Sequence, residues 1–414
     1  MTAPTVSVIV VSRDRPDALV RCLKGLEQLD YQDFEVVVVG DKPGLAALKR
    51  SGLDAGLKTV AFEEPNISAA RNRGLAVAAC DIVAFIDDDA VPEPTWLSFL
   101  TKPFEQPDVI AAGGYVRGRN GISFQSTAQT VTSSGWPEPL TVAAEGFTVF
   151  QGAPDHAIKT EGTNCAFRRA ELLEIGGFDP TFHFYMDETD LNLRLAHARA
   201  RTAIVPLAQV HHGSAPSPRR WHNRLPRTLF DIGASHTVLL RKHAGEVPAC
   251  DLDRLRAEQR ARLLRHMVAG NCEPRDVGRL LDTLQEGIAS GRDRALEPMS
   301  AIPPSRQPFL PFEGARRFGA SGVLAGRSWQ AKTLRKAAAA QVDRGRRTSL
   351  FLFSPTTLFH RVAFTDAGVW EQTGGLFGKS ERTDPVIRYF DFEKRLSREV
   401  GRVAVLRNLP SSVK

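Results

Sequence analysis

Asp81-Ile-Val-Ala-Phe-Ile-Asp-Asp-Asp-Ala90 joins a short apolar run to three adjacent carboxylates. Ile82–Ile86 is too short for a buried helix and rich in β-branched and aromatic side chains, which predicts a strand buried on both faces. Asp87, Asp88 and Asp89 then leave that strand at its carboxyl end, where open α/β sheets bind their ligands. Charges so close repel one another, and a cation is their natural compensation. Asp87 and Asp89, two apart on a turning chain, can converge on one hard ion. Oxygen ligands suit Mg2+ or Mn2+, with positions left open for phosphate. A solvated acidic turn is the plain alternative for the triplet alone; its place after a buried strand favours the ion.

Toward the amino terminus, Val6–Val11 and Phe34–Val39 are further continuous apolar strands, and Thr59–Phe62 is a shorter one. Pro16–Leu29, with Leu19, Cys22, Leu23 and Leu26 at helical spacing, and Ser68–Ala79 are the helices between them. This alternation predicts an α/β fold: a mixed, mainly parallel sheet with helices on both faces. Asn66 or Ser68 can cap the second helix, and Arg71 in its first turns can reach a phosphate or a carboxylate.

Toward the carboxyl terminus, Gly113–Asp155 is rich in Gly, Ser, Thr and Pro and predicts loops with an antiparallel hairpin. Asp187, Glu188 and Asp190 open a helix that continues through Leu191, Leu193 and Leu195. A carboxylate there gains ~0.3–1 kcal/mol from the helix dipole, so one is expected to be structural. Asp190, four residues before Arg194, is that member; one of Asp187 and Glu188 is then free to face a cleft as a base. His211 and His212 follow a strand over Ile204–Val210 and offer an imidazole as a third ligand for Mn2+.

Taken in order, Val6–Arg15, Asn66–Gly74, Phe85–Pro92, Gly162–Asp179, Met186–Arg194 and Val210–Gly213 resemble the motifs of family 2 glycosyltransferases with the GT-A fold. The resemblance covers roughly the first 215 residues and implies an enzyme that moves a sugar, with inversion, from a nucleotide-diphosphate-sugar to an acceptor hydroxyl. It implies that Ser12, Arg13, Arg15 and Asp41 line the base and ribose, and that Arg71 lies near the phosphates. Asp87 would face the ribose or a divalent metal (Mn2+ or Mg2+), Asp88 would join the donor contacts, and Asp89 would bind the metal. Gly162, Thr163 and Asn164 would floor the donor and acceptor sites. The base maps onto Glu188, where many relatives have aspartate, and the longer side chain keeps Asp187 an alternative. The metal histidine maps onto His211 or His212. The implied role is bacterial polysaccharide or glycolipid synthesis, with a glycan or lipid-linked acceptor.

The back half has another character. Up to His212 there are 19 Lys and Arg against 27 Asp and Glu, −8; from Gly213 there are 35 against 20, +15. Such asymmetry suggests surfaces with different partners, the basic one facing an anionic membrane or a phosphate-bearing substrate. Residues 1–215 are expected to form the catalytic domain. Residues 216–298 form a mostly helical region, with Val277, Leu280, Leu281, Leu284 and Ile288 on one helix face. After a proline-rich linker over Pro298–Pro311, residues 299–414 are a basic region with no legible fold beyond a strand at Ser349–Phe353. Five scattered cysteines without a C-x-x-C pair argue against a disulfide framework or zinc site. No apolar run nears the ~20 residues of a membrane span, and no leader is evident at the start. The expectation is a cytoplasmic protein, peripheral at the inner membrane's cytoplasmic face.

Rival classes fit less well. A sugar nucleotidyltransferase calls for an early glycine-rich loop, and Val11–Pro16 has no glycine. A catalytically inactive sugar-nucleotide-binding protein would not need both Asp187 and Glu188. A nucleic-acid binder would show a helix-turn-helix, an RNA-binding sheet motif or a zinc finger, and none is present.

Overall fold

The apolar runs are strands. In the computed structural model, which describes residues 3–213 and 215–410, β1 (Val6–Ser12), β2 (Phe34–Gly40), β3 (Leu57–Ala61) and β4 (Ile82–Asp87) pair in parallel. Alternate residues serve two cores. Val8, Val36 and Ala84 pack with Leu19, Leu23 and Leu26 of α1 (Pro16–Leu26). Ile9, Val37 and Phe85 face the other way, toward Ala70 and Leu75, so each run is apolar throughout. One helix escaped the sequence reading. The turn signals over Gly40–Pro43 conceal α2 (Lys42–Ser51), whose first turn Asp41 caps by accepting from the Gly44 amide. Next come α3 (Ile67–Leu75), which carries Ala70 and Leu75, then β5 (Ala90–Pro92) and α4 (Trp96–Leu100).

From β6 (Val109–Arg117) onward the chain runs both ways. Stretch 113–155 holds most of the short antiparallel pieces: β7 (Phe124–Ser126), β8 (Gln129–Thr132), β9 (Pro137–Pro139) and β10 (Thr148–Gln151). There follow β11 (His156–Lys159), β12 (Cys165–Arg168), α5 (Arg169–Glu174), α6 (Asp187–His197) and β13 (Arg201–His212). The main sheet has the order β10-β13-β6-β12-β4-β1-β2-β3, with β5 beside β13 and β7 beside β6, while β11-β8-β9 form a separate small sheet. Register brings the functional segments to one edge. Gly40, Ser12 and Asp87 end β2, β1 and β4 at nearly the same level. β12 enters antiparallel with Cys165 opposite Phe85, so residues 162–164 arrive at that same edge.

The expected helical region is present as α7 (Phe230–Leu239), which runs on through a π turn over Leu240–Ala244, α8 (Ala249–Val268) and α9 (Pro274–Asp293). Leu280, Leu284 and Ile288 bury with Leu255 and Leu263 of α8. Glycine lets α7 and α9 touch: a Cβ on Gly287 would lie 2.0 Å from the Phe230 carbonyl oxygen. After the linker, Phe312 packs on Phe34 with ring centroids 5.6 Å apart.

The region whose fold the sequence left open holds a second α/β unit: β14 (Ser321–Arg327), α10 (Ala331–Asp343), β15 (Arg347–Ser354), β16 (Arg361–Phe364), β17 (Trp370–Gly375) and α11 (Phe392–Arg407). Its sheet order is β14-β15-β17-β16. Leu350 and Leu352 of β15 bury on the α10 side and Phe351 and Phe353 on the α11 side. Buried polar contacts fix it to the first domain. Arg407 donates from Nε and Nη2 to the two Glu93 carboxylate oxygens at 2.8 and 3.0 Å, and Arg347 donates to the carbonyls of Gln28 and Leu29. Among the described residues no helix is long and apolar enough to cross a membrane.

Candidate functional site

A cavity of about 710 Å3 opens at the carboxyl edge of β1 and β4 and is closed from the far side by the loop after β13 and by α8. Ser12, Arg15, Arg71, Asp87, Asp89, Gly162, Thr163, Asp187, Glu188 and His212 all line it. A second hollow of about 720 Å3 lies between α3 and the linker, beside Arg73 and Pro298, and none of the expected site residues lines it.

Within the acidic triplet the three carboxylates have separate fates. Asp87 is partly exposed toward the cavity. Asp88 turns inward, fully buried, taking a hydrogen bond from Ser12 Oγ at 2.7 Å and an ion pair from Arg15 Nη2 at 2.6 Å. Burial pushes its carboxyl up to about 7 against the pull of Arg15. Asp89 is ringed by donors. His212 Nε2 lies 3.1 Å from Oδ1, and Arg15, Arg220 and the Ala215 amide reach Oδ2 at 3.0, 3.0 and 2.7 Å. Burial alone would raise Asp89, but His212, Arg15 and Arg220 outweigh it and hold the carboxyl well below the usual range. His212 in turn is raised: Asp89 overcomes the effect of burial.

Asp87, Asp89 and His212 each offer one ligand atom, all within 4.8 Å of one another. Two carboxylate oxygens and an imidazole nitrogen fit Mn2+ or Mg2+, and the set leaves coordination positions for other oxygens. His211 goes elsewhere for a simple reason: neighbouring residues on a strand point to opposite faces. Its Nε2 lies 2.7 Å from Glu93 Oε1 and its ring 4.8 Å from that of Trp370, in the seam between the two domains.

Arg71 ties the triplet to the second acidic group. It is 4% exposed, pairs with Asp187 through Nη1, and donates from Nη2 to Asp87 Oδ1 and the Gly162 carbonyl at 3.2 and 3.1 Å. Asp187 and Asp87 outweigh burial and raise the guanidinium further. Gly162 is glycine because a Cβ there would meet Arg71 Nη2 at 2.6 Å. Glu188, the next residue on α6, lines the cavity half-buried, with no hydrogen bond to it among the described residues. Burial first, and Asp187 second, push its carboxyl up to about 8, with Lys159 pulling the other way. Asp190 is fully buried against Arg194, Lys242 and His243.

Two further expected residues stand apart from the cavity. Asp41 is buried with its oxygens on the Gly44 and Asp14 amides, which shapes the loop after β1. Asn164 is fully buried, accepting from Trp96 Nε1 and donating to the carbonyls of Tyr115 and Ala208. Other lining residues went unread: Glu161, held by Lys159 and Ser126, and Tyr185, Arg220 and Arg262. Arg220 and Arg262 lie beyond the resembling segments, in arginine-rich stretches where spacing singles out no one residue.

Comparison with known proteins agrees with this geometry. Residues 7–174 match the model of the family described as glycosyl transferase family 2. The O-antigen biosynthesis protein RfbC of Myxococcus xanthus is 27% identical over 64% of this chain and 24% of its own length. The pre-mycofactocin glycosyltransferase of Mycobacterium tuberculosis is 28% identical over 57% of this chain and 48% of its own. The chain therefore spans from about a quarter to about half of the length of these curated relatives. Among solved structures, the mannosyltransferase PcManGT of Pyrobaculum calidifontis, in complex with GDP-Man and Mn2+, overlaps 71% of this chain and 88% of its own at 19% identity and a TM-score of 0.45. The sheet is the mixed, mainly parallel one expected, with the functional segments at the carboxyl edge of β1 and β4, and residues 7–174 of the amino-terminal domain carry the similarity to glycosyl transferase family 2.

Proposed function

We propose that the protein transfers a sugar from a nucleotide-diphosphate-sugar to an acceptor hydroxyl with inversion. The observation that carries this reading is one cavity lined both by a trio able to hold a cation, Asp87, Asp89 and His212, and by a carboxylate with no hydrogen-bond partner among the described residues, Glu188. A divalent cation on that trio would supply charge stabilisation to the departing diphosphate. Arg15, already beside Asp89, adds fixed positive charge on the same side. Arg71 holds Asp187 and so leaves Glu188 as the base. In the displacement the acceptor oxygen bonds to the anomeric carbon as the bond to the diphosphate oxygen breaks. The hydroxyl proton passes to the Glu188 carboxylate, a contribution of ~10²–10⁴-fold. One base and one direct displacement invert the anomeric centre.

The acceptor side of this reading is a glycan or lipid-linked acceptor in bacterial polysaccharide or glycolipid synthesis, met at the cytoplasmic face of the inner membrane. Support comes from the second α/β unit. Trp329, Leu358, Phe359, Val386, Ile387 and Tyr389 are exposed on loops that follow its parallel strands β14, β15 and β17. In the loop after β17, Lys379, Arg382 and Arg388 are balanced by Glu381, Asp384 and Asp391, so the apolar tips are what suits a bilayer surface.

A thermal-shift panel of UDP-, GDP- and dTDP-sugars, each with and without Mn2+, tests the donor half. Stabilisation by one nucleotide class that requires Mn2+ supports the reading; none with any donor counts against it.

A further inference from the structure

At the cavity's far end, among the described residues, one cation has no acid to match it. Arg262 of α8 lines it, half-buried, and has no carboxylate within ion-pair distance among the described residues; its one side-chain hydrogen bond is a long 3.4 Å contact with Gln259 Oε1. Exposed Arg254 and Arg256 of the same helix are paired, with Glu258 and Asp253 respectively. Arg220, Arg224 and Arg265 are like-charged neighbours of Arg262, and burial together with their repulsion lowers its guanidinium. A partly buried cation in such company is costly while the cleft is empty, and an anion relieves it.

Tyr185 stands beside this group. It and Met186 have φ of 74° and 67°, left-handed backbone that costs a non-glycine residue ~1–3 kcal/mol and persists where the surroundings enforce it. The turn leaves the ring 40% exposed in the cavity, within electrostatic reach of Glu188 and of Arg262. A sugar ring lying on Tyr185 would thus have the base and the arginine group as its neighbours. Two guanidiniums, Arg262 and Arg220, can share the oxygens of a tetrahedral phosphate, whereas one bidentate guanidinium satisfies a carboxylate.

Resting on the transfer reading above, we infer that Arg262, with Arg220 lining the same cavity and Tyr185 as the wall, forms an acceptor subsite for a phosphate-bearing sugar, free or lipid-linked. The test titrates glucose 1-phosphate into the full chain saturated with UDP and Mn2+ (or the nucleotide the panel selects), and into nucleotide-free protein. Glucose and glucuronate are the controls. The wild type is expected to bind glucose 1-phosphate in both states and to bind the controls at least tenfold more weakly. Arg262→Gln should weaken glucose 1-phosphate binding at least tenfold and leave the nucleotide affinity unchanged, while Arg262→Lys retains part of the binding. A glucosyl phosphate carrying a farnesyl chain separates the sources: tighter binding than glucose 1-phosphate marks a lipid-linked acceptor, equal binding a free one. Loss of nucleotide affinity in Arg262→Gln would give this arginine to the donor and overturn the subsite. So would equal binding of glucuronate, or glucose 1-phosphate binding indifferent to Arg262. Failure of every nucleotide to bind counts against the transfer reading alone, because the nucleotide-free titration still reads the anion.

Discussion

Replacing Glu188 by glutamine removes a charge that the native fold holds at a cost. The carboxyl is pushed up from 4.5 to about 8 by burial and then by Asp187, against Lys159. An acid whose folded value lies above its unfolded one keeps its proton in the native state while the unfolded chain has released it, so stability falls as pH rises between those two values. Each pH unit of displacement is worth about 1.4 kcal/mol, and with Asp187 sharing the charge the loss across the window is on the order of 2–4 kcal/mol. Glutamine has the same shape and does not titrate. Glu188→Gln should therefore match the wild type in urea denaturation near pH 4.5 and exceed it by that amount near pH 9. A difference that does not change with pH, or a variant less stable at pH 9, would refute the electrostatics described for this site. The same displacement governs turnover. A base must be ionised to accept a proton, and with this carboxyl pushed up to about 8 the rate should climb from pH 6, pass half of its ceiling near pH 8 and level above about pH 9.

Arg71→Met leaves Asp87 and Asp187 uncompensated beside each other and should cost ~3–5 kcal/mol in denaturant midpoint measurements; adding Asp187→Asn should return at least ~1 kcal/mol, whereas simple additivity would deny the pairing. His212→Ala should weaken Mn2+ binding at least tenfold in calorimetric titration, while His211→Ala should leave it unchanged and lower the melting temperature through the Glu93–Trp370 seam; the reverse pattern would exchange their roles. Flotation with anionic liposomes should carry the protein at low salt, and replacing Trp329 and Tyr389 by serine should reduce it; absence of binding at every salt concentration would remove the membrane contact.

Much of this was legible because buried strands write themselves in continuous apolar runs. Val6–Val11, Phe34–Val39 and Ile82–Ile86 could be read directly, and with them the edge at which Asp87 and Asp89 emerge. Local rules also separated Asp190, four residues from Arg194, from its acidic neighbours. What sequence could not supply was direction. The choice between His211 and His212 rests on which face of β13 looks toward the cavity, and that between Asp187 and Glu188 on which one Arg71 reaches across 116 residues of chain. Asp41 and Asn164, placed near the ligand by resemblance, lie outside the cavity lining and hydrogen-bond to their own fold. The second α/β unit was hidden because, β15 apart, its strands are not continuous apolar runs, and its sheet closes against α10 and α11 from distant segments.

The claim beneath the whole account is that acids from β4 and from α6 act on a single reaction in one cleft. Single-turnover transfer by Glu188→Gln, with donor binding recorded in the same experiment on the nucleotide-sugar that the panel selects, addresses it without intermediaries. The account expects donor affinity within about twofold of the wild type and a transfer rate lower by ~10²–10⁴-fold. Transfer at the wild-type rate would contradict it.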